Sequence, residues 1–144
     1  MTTFDNTVTI HRPADDVFAF LADFENIPQW NYAIEETRKT SAGPVGVGTT
    51  YLQTRSIPRR QAEGFEVTVF EPDRRLAIHG QIGPFQATIS YRLEPAGDAT
   101  TIVNTVQLKA SAATRLVAPL AAPAIKGAVA QNLGELKLIL ERRG

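Results

Sequence analysis

Tyr51, Gln53 and Arg55 alternate along one β-rich stretch, so a phenol, an amide and a guanidinium share one face of a strand. Groups of these types bind and polarise a ligand oxygen. If that face points inward, Arg55 needs a carboxylate or a ligand oxygen, because a buried unpaired guanidinium is expensive. The Ile57 to Arg60 loop closes in either of two registers: one turns Tyr51, Gln53 and Arg55 inward, the other Leu52 and Thr54. Apolarity does not decide between them. On the surface, Arg55 would instead pair with Glu63 or Glu66 across the hairpin. Two more polar side chains fall on a face that is otherwise apolar. Asn104 either lines a pocket or finds partners as a core amide, and Tyr91 carries a hydroxyl at the end of an apolar ring, suited to orienting a ligand or to reaching backbone.

Other chemistry is absent. The chain has no cysteine, which excludes disulfides, thiolate metal sites and thiol nucleophiles. His11 and His79 are isolated and lack clustered carboxylates, so no metal site is expected. No Gly-x-Ser-x-Gly turn is present, and Gly43, Gly46 and Gly48 match neither nucleotide fingerprint. Asp15-Asp16 suits a helix start, and Glu35-Glu36 should splay to opposite faces of a strand, so neither pair is an acid/base couple. Fifteen Lys and Arg balance fifteen Asp and Glu, against the basic excess of a nucleic-acid binder. The longest apolar stretch, Leu116 to Ile125, is too short to span a bilayer and holds two prolines, so no membrane insertion is expected. With no targeting segment visible, the expected location is cytoplasmic.

The elements that position these residues follow from periodicity. Thr3 to His11 alternates as a strand, Pro13 to Ala22 carries a helical stripe, and Phe24 to Trp30, interrupted by Pro28, predicts a short second helix delivering Trp30 and Tyr32 to a strand near Ile34. From Ile34 to Ala110 turn residues separate six β-rich segments. A two-residue Pro72-Asp73 turn sets Phe65, Val67 and Val69 opposite Gly80, Ile78 and Leu76. A Gly83-Pro84 turn sets Ile78 opposite Ile89 and Leu76 opposite Tyr91. A four-residue Pro95 to Asp98 loop sets Tyr91 against Ile102, Ile89 against Asn104, Ala87 against Val106 and Phe85 against Leu108. All three turns gather one apolar set on one face. Ile125, Val129, Leu133, Leu136 and Leu140 then recur at helical spacing and predict a long C-terminal helix covering that face, while Pro119 and Pro123 predict that Ala113 to Ala122 is a separate or kinked turn. Residues 1–144 read as one α+β domain.

A curved sheet and one helix leave space that side chains do not fill, and pockets of roughly 300 to 1,000 Å³ are common in such concavities. At roughly 24 cal/mol per Å³, a void of ~400 Å³ would cost on the order of 10 kcal/mol, so it is collapsed, wet or occupied. Many alanines along the last helix, Ala118, Ala121, Ala122 and Ala128 among them, favour an unfilled space over solid core. Phe65, Val67, Ile78, Phe85, Ile89 and Val106 would line it or pack it.

The run Val17 to Asp23 followed by Pro28 and Trp30, then Gly43 to Thr49, Glu71-Pro72 with Arg75-Leu76, Leu116 to Leu120 and Gly134 to Lys137 resembles the polyketide cyclase/dehydrase-like branch of the START and Bet v 1-like (SRPBCC) helix-grip superfamily. The resemblance covers nearly the whole chain and implies a curved seven-stranded antiparallel sheet (β1-α1-α2-β2 to β7-α3) gripping the C-terminal helix around a largely apolar cavity. It tips Tyr51, Gln53 and Arg55 inward, places Trp30 and Tyr32 near the cavity mouth, and makes Leu116 and Leu120 the other lip of a gate. Such families include aromatase/cyclases, lipid and sterol carriers, and small-ligand binding proteins. The leading expectation is binding of a hydrophobic small molecule such as a lipid, polyketide or aromatic metabolite, by a monomer or weak homodimer without cofactor. The alternative is a cofactor-independent cyclase/dehydratase, with Arg55 polarising a carbonyl or enolate and Tyr91 or Tyr32 as proton donor.

Overall fold

A computed structural model describes residues 1–143. Alternation over Thr2–Ile10 makes β1, with Phe4, Val8 and Ile10 on the inner side. Pro13, in extended conformation, precedes helix α1 (Ala14–Ala22), and Asp15 and Asp16 lie in its positive first turn. A single 3-10 turn, Phe24–Asn26, leads into α2 (Ile27–Trp30), where Pro28 fits the first turn because its missing N–H has no helical partner there. The strands β2 (Ile34–Lys39), β3 (Thr50–Arg55), β4 (Gln61–Glu71), β5 (Arg75–Ile82), β6 (Phe85–Ala96) and β7 (Ala99–Lys109) follow, and α3 (Ala118–Arg142) closes the chain.

The seven strands form one antiparallel sheet in the order β1-β7-β6-β5-β4-β3-β2. The meander runs strand to neighbouring strand, and α1 and α2 carry the chain from one edge of the sheet to the other. This is the expected helix-grip architecture.

The Gly83-Pro84 turn holds the expected register, with Ile82 opposite Phe85, Ile78 opposite Ile89 and Leu76 opposite Tyr91. The β6-β7 register differs by two residues: Tyr91 pairs with Asn104, Ile89 with Val106, Ala87 with Leu108 and Leu93 with Ile102. The loop is two residues long, because Gly97 adopts a positive φ of 65° and turns the chain at once, keeping Pro95 within the strand. A shift of two preserves the face, so the inward set is unchanged. Between β4 and β5, Phe65 faces Gly80 and Val67 faces Ile78 as expected, but an irregularity between Val67 and Val69 sets Phe70, not Val69, opposite Leu76. Phe70 then meets Phe18 of α1 edge-on at 5.3 Å between ring centres. A second irregularity, between Ile34 and Glu36, leaves both Glu35 and Glu36 exposed where opposite faces were expected.

The C-terminal helix also departs from expectation. Residues 112–117 form turns, and α3 starts at Ala118 and runs through Pro123 without a separate piece. Pro119 occupies the first turn, where no N–H partner exists, so Pro123 alone deletes an internal hydrogen bond. Leu133, Leu136 and Leu140 are each at most 2% exposed and join Val17, Leu21, Trp30, Leu76 and Ile102 in the main core. A second cluster of Phe85, Ala87, Val106, Leu108 and Ala118 lies under the start of α3. The far end of α3 is tied to β1. Arg12 donates to the Leu140 carbonyl (2.8 Å), Lys137 to the Thr9 carbonyl (2.6 Å), and the His11 N–H to the Glu141 carboxylate (2.9 Å).

Candidate functional site

Between α3 and the inner face of the sheet lies a cavity of about 170 Å³. It is smaller than the roughly 300 to 1,000 Å³ common in such concavities, yet leaving it unfilled by side chains still costs on the order of 4 kcal/mol at roughly 24 cal/mol per Å³. Its waist is apolar: Phe65 of β4, Ile78 and Gly80 of β5, Ala87 and Ile89 of β6, Val106 of β7, and Ile125, Val129 and Leu133 of α3. Polar groups stand toward its ends. On β3, Gln53 and Arg55 line one end, and on β6 and β7 the directly paired Tyr91 and Asn104 line the other. Trp30, Asn31 and Tyr32 contribute from α2 and the loop beyond it, and Asn132 from α3.

The inward register of β3 is therefore the one adopted. Its cause is the five-residue connection from Ser56 to Arg60, which pairs Arg55 with Gln61 and Gln53 with Glu63. Arg55 is both inward and paired. Its Nε donates to Glu63 Oε2 at 2.8 Å, with the arginine side chain 15% exposed and the glutamate fully buried. That bond runs through Nε and leaves both terminal amino groups of the guanidinium for a partner in the cavity. Tyr91 is 8% exposed, and burial pushes its phenol above the ordinary tyrosine range, so the hydroxyl stays protonated and can donate. Asn104 is fully buried; its Nδ2 donates to the Ser90 carbonyl at 3.2 Å, while its Oδ1 has no partner.

Five sequence-nominated residues do not line the cavity. Tyr51 is 3% exposed and stacks on Phe65 at 5.1 Å, with Phe24 edge-on at 5.0 Å, so its ring is spent in an aromatic cluster behind the wall. Val67 is fully buried core, and Phe85 belongs to the second cluster under Ala118. Leu116 and Leu120 are 86% and 79% exposed and form no lip. The buried stripe of α3 runs through Ala118, Ala122, Ile125 and Val129, and Leu120 lies about 200° around the helix from both alanines. Tyr32 lines the cavity while 66% exposed, so it stands at the mouth.

Sequence reasoning missed Asn132 and named Glu63 only as a surface partner of Arg55. Asn132 falls three residues after Val129 on the helical stripe, a polar interruption that could have flagged it. Glu63 is in phase with Phe65 and Val67 along β4, so its inward direction was legible too.

A family model described as polyketide cyclase / dehydrase and lipid transport matches residues 1–141. The chain belongs to this family. A search of curated proteins by sequence finds no match. Among solved structures the chain resembles the di-domain aromatase/cyclase StfQ of the steffimycin biosynthetic pathway, with a TM-score of 0.81 at 10% identity; the match covers 98% of this chain and 51% of StfQ, about half its length. It is similar to the Zhui aromatase/cyclase of Streptomyces sp. R1128 (TM-score 0.80, 17% identity, 99% and 94% covered). A START superfamily protein of Mycobacterium smegmatis superposes with a TM-score of 0.68 at 21% identity, covering 98% of this chain and 95% of that one. At these identities the structural likeness establishes the shared fold. The polyketide cyclase / dehydrase and lipid transport family assignment and the cavity coincide in one molecule. No helix among the described residues is long and apolar enough to cross a membrane.

Proposed function

We propose that this protein binds a small, mainly apolar molecule of one or two rings in the cavity beneath α3, with a polar atom held at the Arg55 end. One observation carries this reading: a cavity of about 170 Å³ with an apolar waist and hydrogen-bonding groups toward its ends. An apolar cavity of ~150 Å³ is large enough to take up benzene, so this volume suits a ring and is too small for a long acyl chain. The cyclase/dehydratase reading is supported by Arg55 as an electrophile and Tyr91 as a proton donor. It ranks second because no carboxylate, imidazole or amine is among the residues lining the cavity, and removal of a proton from carbon needs a base.

Trp30 is the single tryptophan and lines the cavity, so its emission reports occupancy. Titration with one- and two-ring aromatic ketones and phenols should change that emission saturably and raise the melting temperature. A panel that moves neither signal up to the solubility of the probes overturns the proposal. Turnover of an aromatic diketone without any added cofactor would promote the enzymatic reading over the carrier.

A further inference from the structure

Glu63 receives four hydrogen bonds, from Gln53 Nε2 (3.0 Å), Arg55 Nε (2.8 Å), Gln61 Nε2 (2.9 Å) and the Gly83 N–H (2.8 Å). With its carboxylate fully buried and so engaged, it is occupied by the protein and does not serve as a base. Its effect on the cavity is electrostatic. An arginine standing alone in an apolar wall recruits an anion. Joined to Glu63 the pair carries no net charge, while the terminal amino groups of Arg55 remain as donors.

A carboxylate brought out of water against that neutral wall leaves one uncompensated negative charge, and a carbonyl oxygen does not. Burial, then Asp23 and Glu25, push the phenol of Tyr51, two residues from Gln53 on the same strand face, up to about 12. No lysine and no second arginine lines the cavity to offset this.

Resting on the binding reading above, we infer that the cavity selects a neutral carbonyl on an apolar ring over the carboxylate of the same shape, and that Glu63 sets this choice as a positioning residue acting through Arg55. The orientation follows from the Nε bond, which fixes the guanidinium plane. The selectivity follows from the neutralised charge.

The test compares acetophenone with benzoate at pH 7, following Trp30 emission and amide chemical shifts in the whole protein. Wild type should bind acetophenone at least about tenfold more tightly than benzoate. Glu63→Gln keeps the side-chain shape and leaves Arg55 without its counter-ion; it should shift the ratio of the two affinities at least about tenfold toward benzoate. A purely structural role for Glu63 would weaken both probes together and leave their ratio alone. Equal or tighter binding of benzoate by wild type, or an unchanged ratio in Glu63→Gln, overturns the inference and leaves the binding reading standing. Failure of both probes and of the wider aromatic panel to bind overturns the two together. The wild-type ratio is read whether or not the variant folds.

Discussion

Burial keeps two phenols protonated, Tyr91 on the cavity wall and Tyr51 in the aromatic cluster behind it. Tyr51 and Tyr91 ionise only above the ordinary tyrosine range, Tyr91 through burial and Tyr51 through burial reinforced by two carboxylates. The unfolded chain releases these protons near pH 10, the folded chain later, so their contribution is complete below pH 10 and is lost as pH rises toward the folded values. The unfolding free energy from urea titrations between pH 9 and pH 12 should therefore fall, by up to about 1.4 kcal/mol per pH unit for each tyrosine, and Tyr91→Phe should flatten the descent. A descent of the same slope in Tyr91→Phe and Tyr51→Phe would show that neither group is responsible. Arg55 shows what could be read at this scale. Its alternation with Tyr51 and Gln53 and the presence of a glutamate across the hairpin were both legible. That the ion pair is formed inside, with Glu63 chosen and Glu66 left exposed, depended on the loop register.

Among the elements, β4 and β5 shape the cavity most closely, because Phe65 and Gly80 face each other across them. A Cβ on Gly80 would meet the Gly64 carbonyl oxygen and stand 2.5 Å from Phe65 Cβ and 2.7 Å from Phe65 Cα, mostly backbone that does not yield. Gly80→Ala should cost about 2 to 3 kcal/mol by overpacking, read as a lower urea midpoint with an unchanged slope. Gly134, within α3, meets nothing within 4 Å, so Gly134→Ala should stabilise by about 0.5 to 1 kcal/mol. Equal effects of the two substitutions would refute the packing argument. Helical stripes and strand alternation revealed nearly every element here, since each repeats along a short length of chain. Bulges were not legible: nothing in Val67-Thr68-Val69 announces that Phe70 will replace Val69 on the inner face, because the irregularity is set by the partner strand.

At the scale of the molecule, the same gap between α3 and the sheet that weakens the fold provides the binding volume. Ala87 is 2% exposed on the inner face and lines the cavity. Ala87→Leu should fill part of it, raise stability by about 1 kcal/mol and abolish the Trp30 response to aromatic probes. A variant that gains no stability yet still binds would place the guest elsewhere. The amino-acid sequence alone determined the order of the elements, the covering helix and the inward faces of β5, β6 and β7. These rest on periods of two and of 3.6 residues, and even a two-residue register shift leaves them intact. Only the tertiary structure decided that Tyr51, Val67 and Phe85 pack while Gln53, Ile89 and Asn132 line, that Leu116 and Leu120 face solvent, and that Glu63 neutralises Arg55. Cavity volume and charge pairing are set by how closely distant segments approach one another. A change of one or two ångströms there, invisible to any local pattern, separates a filled core from a binding site.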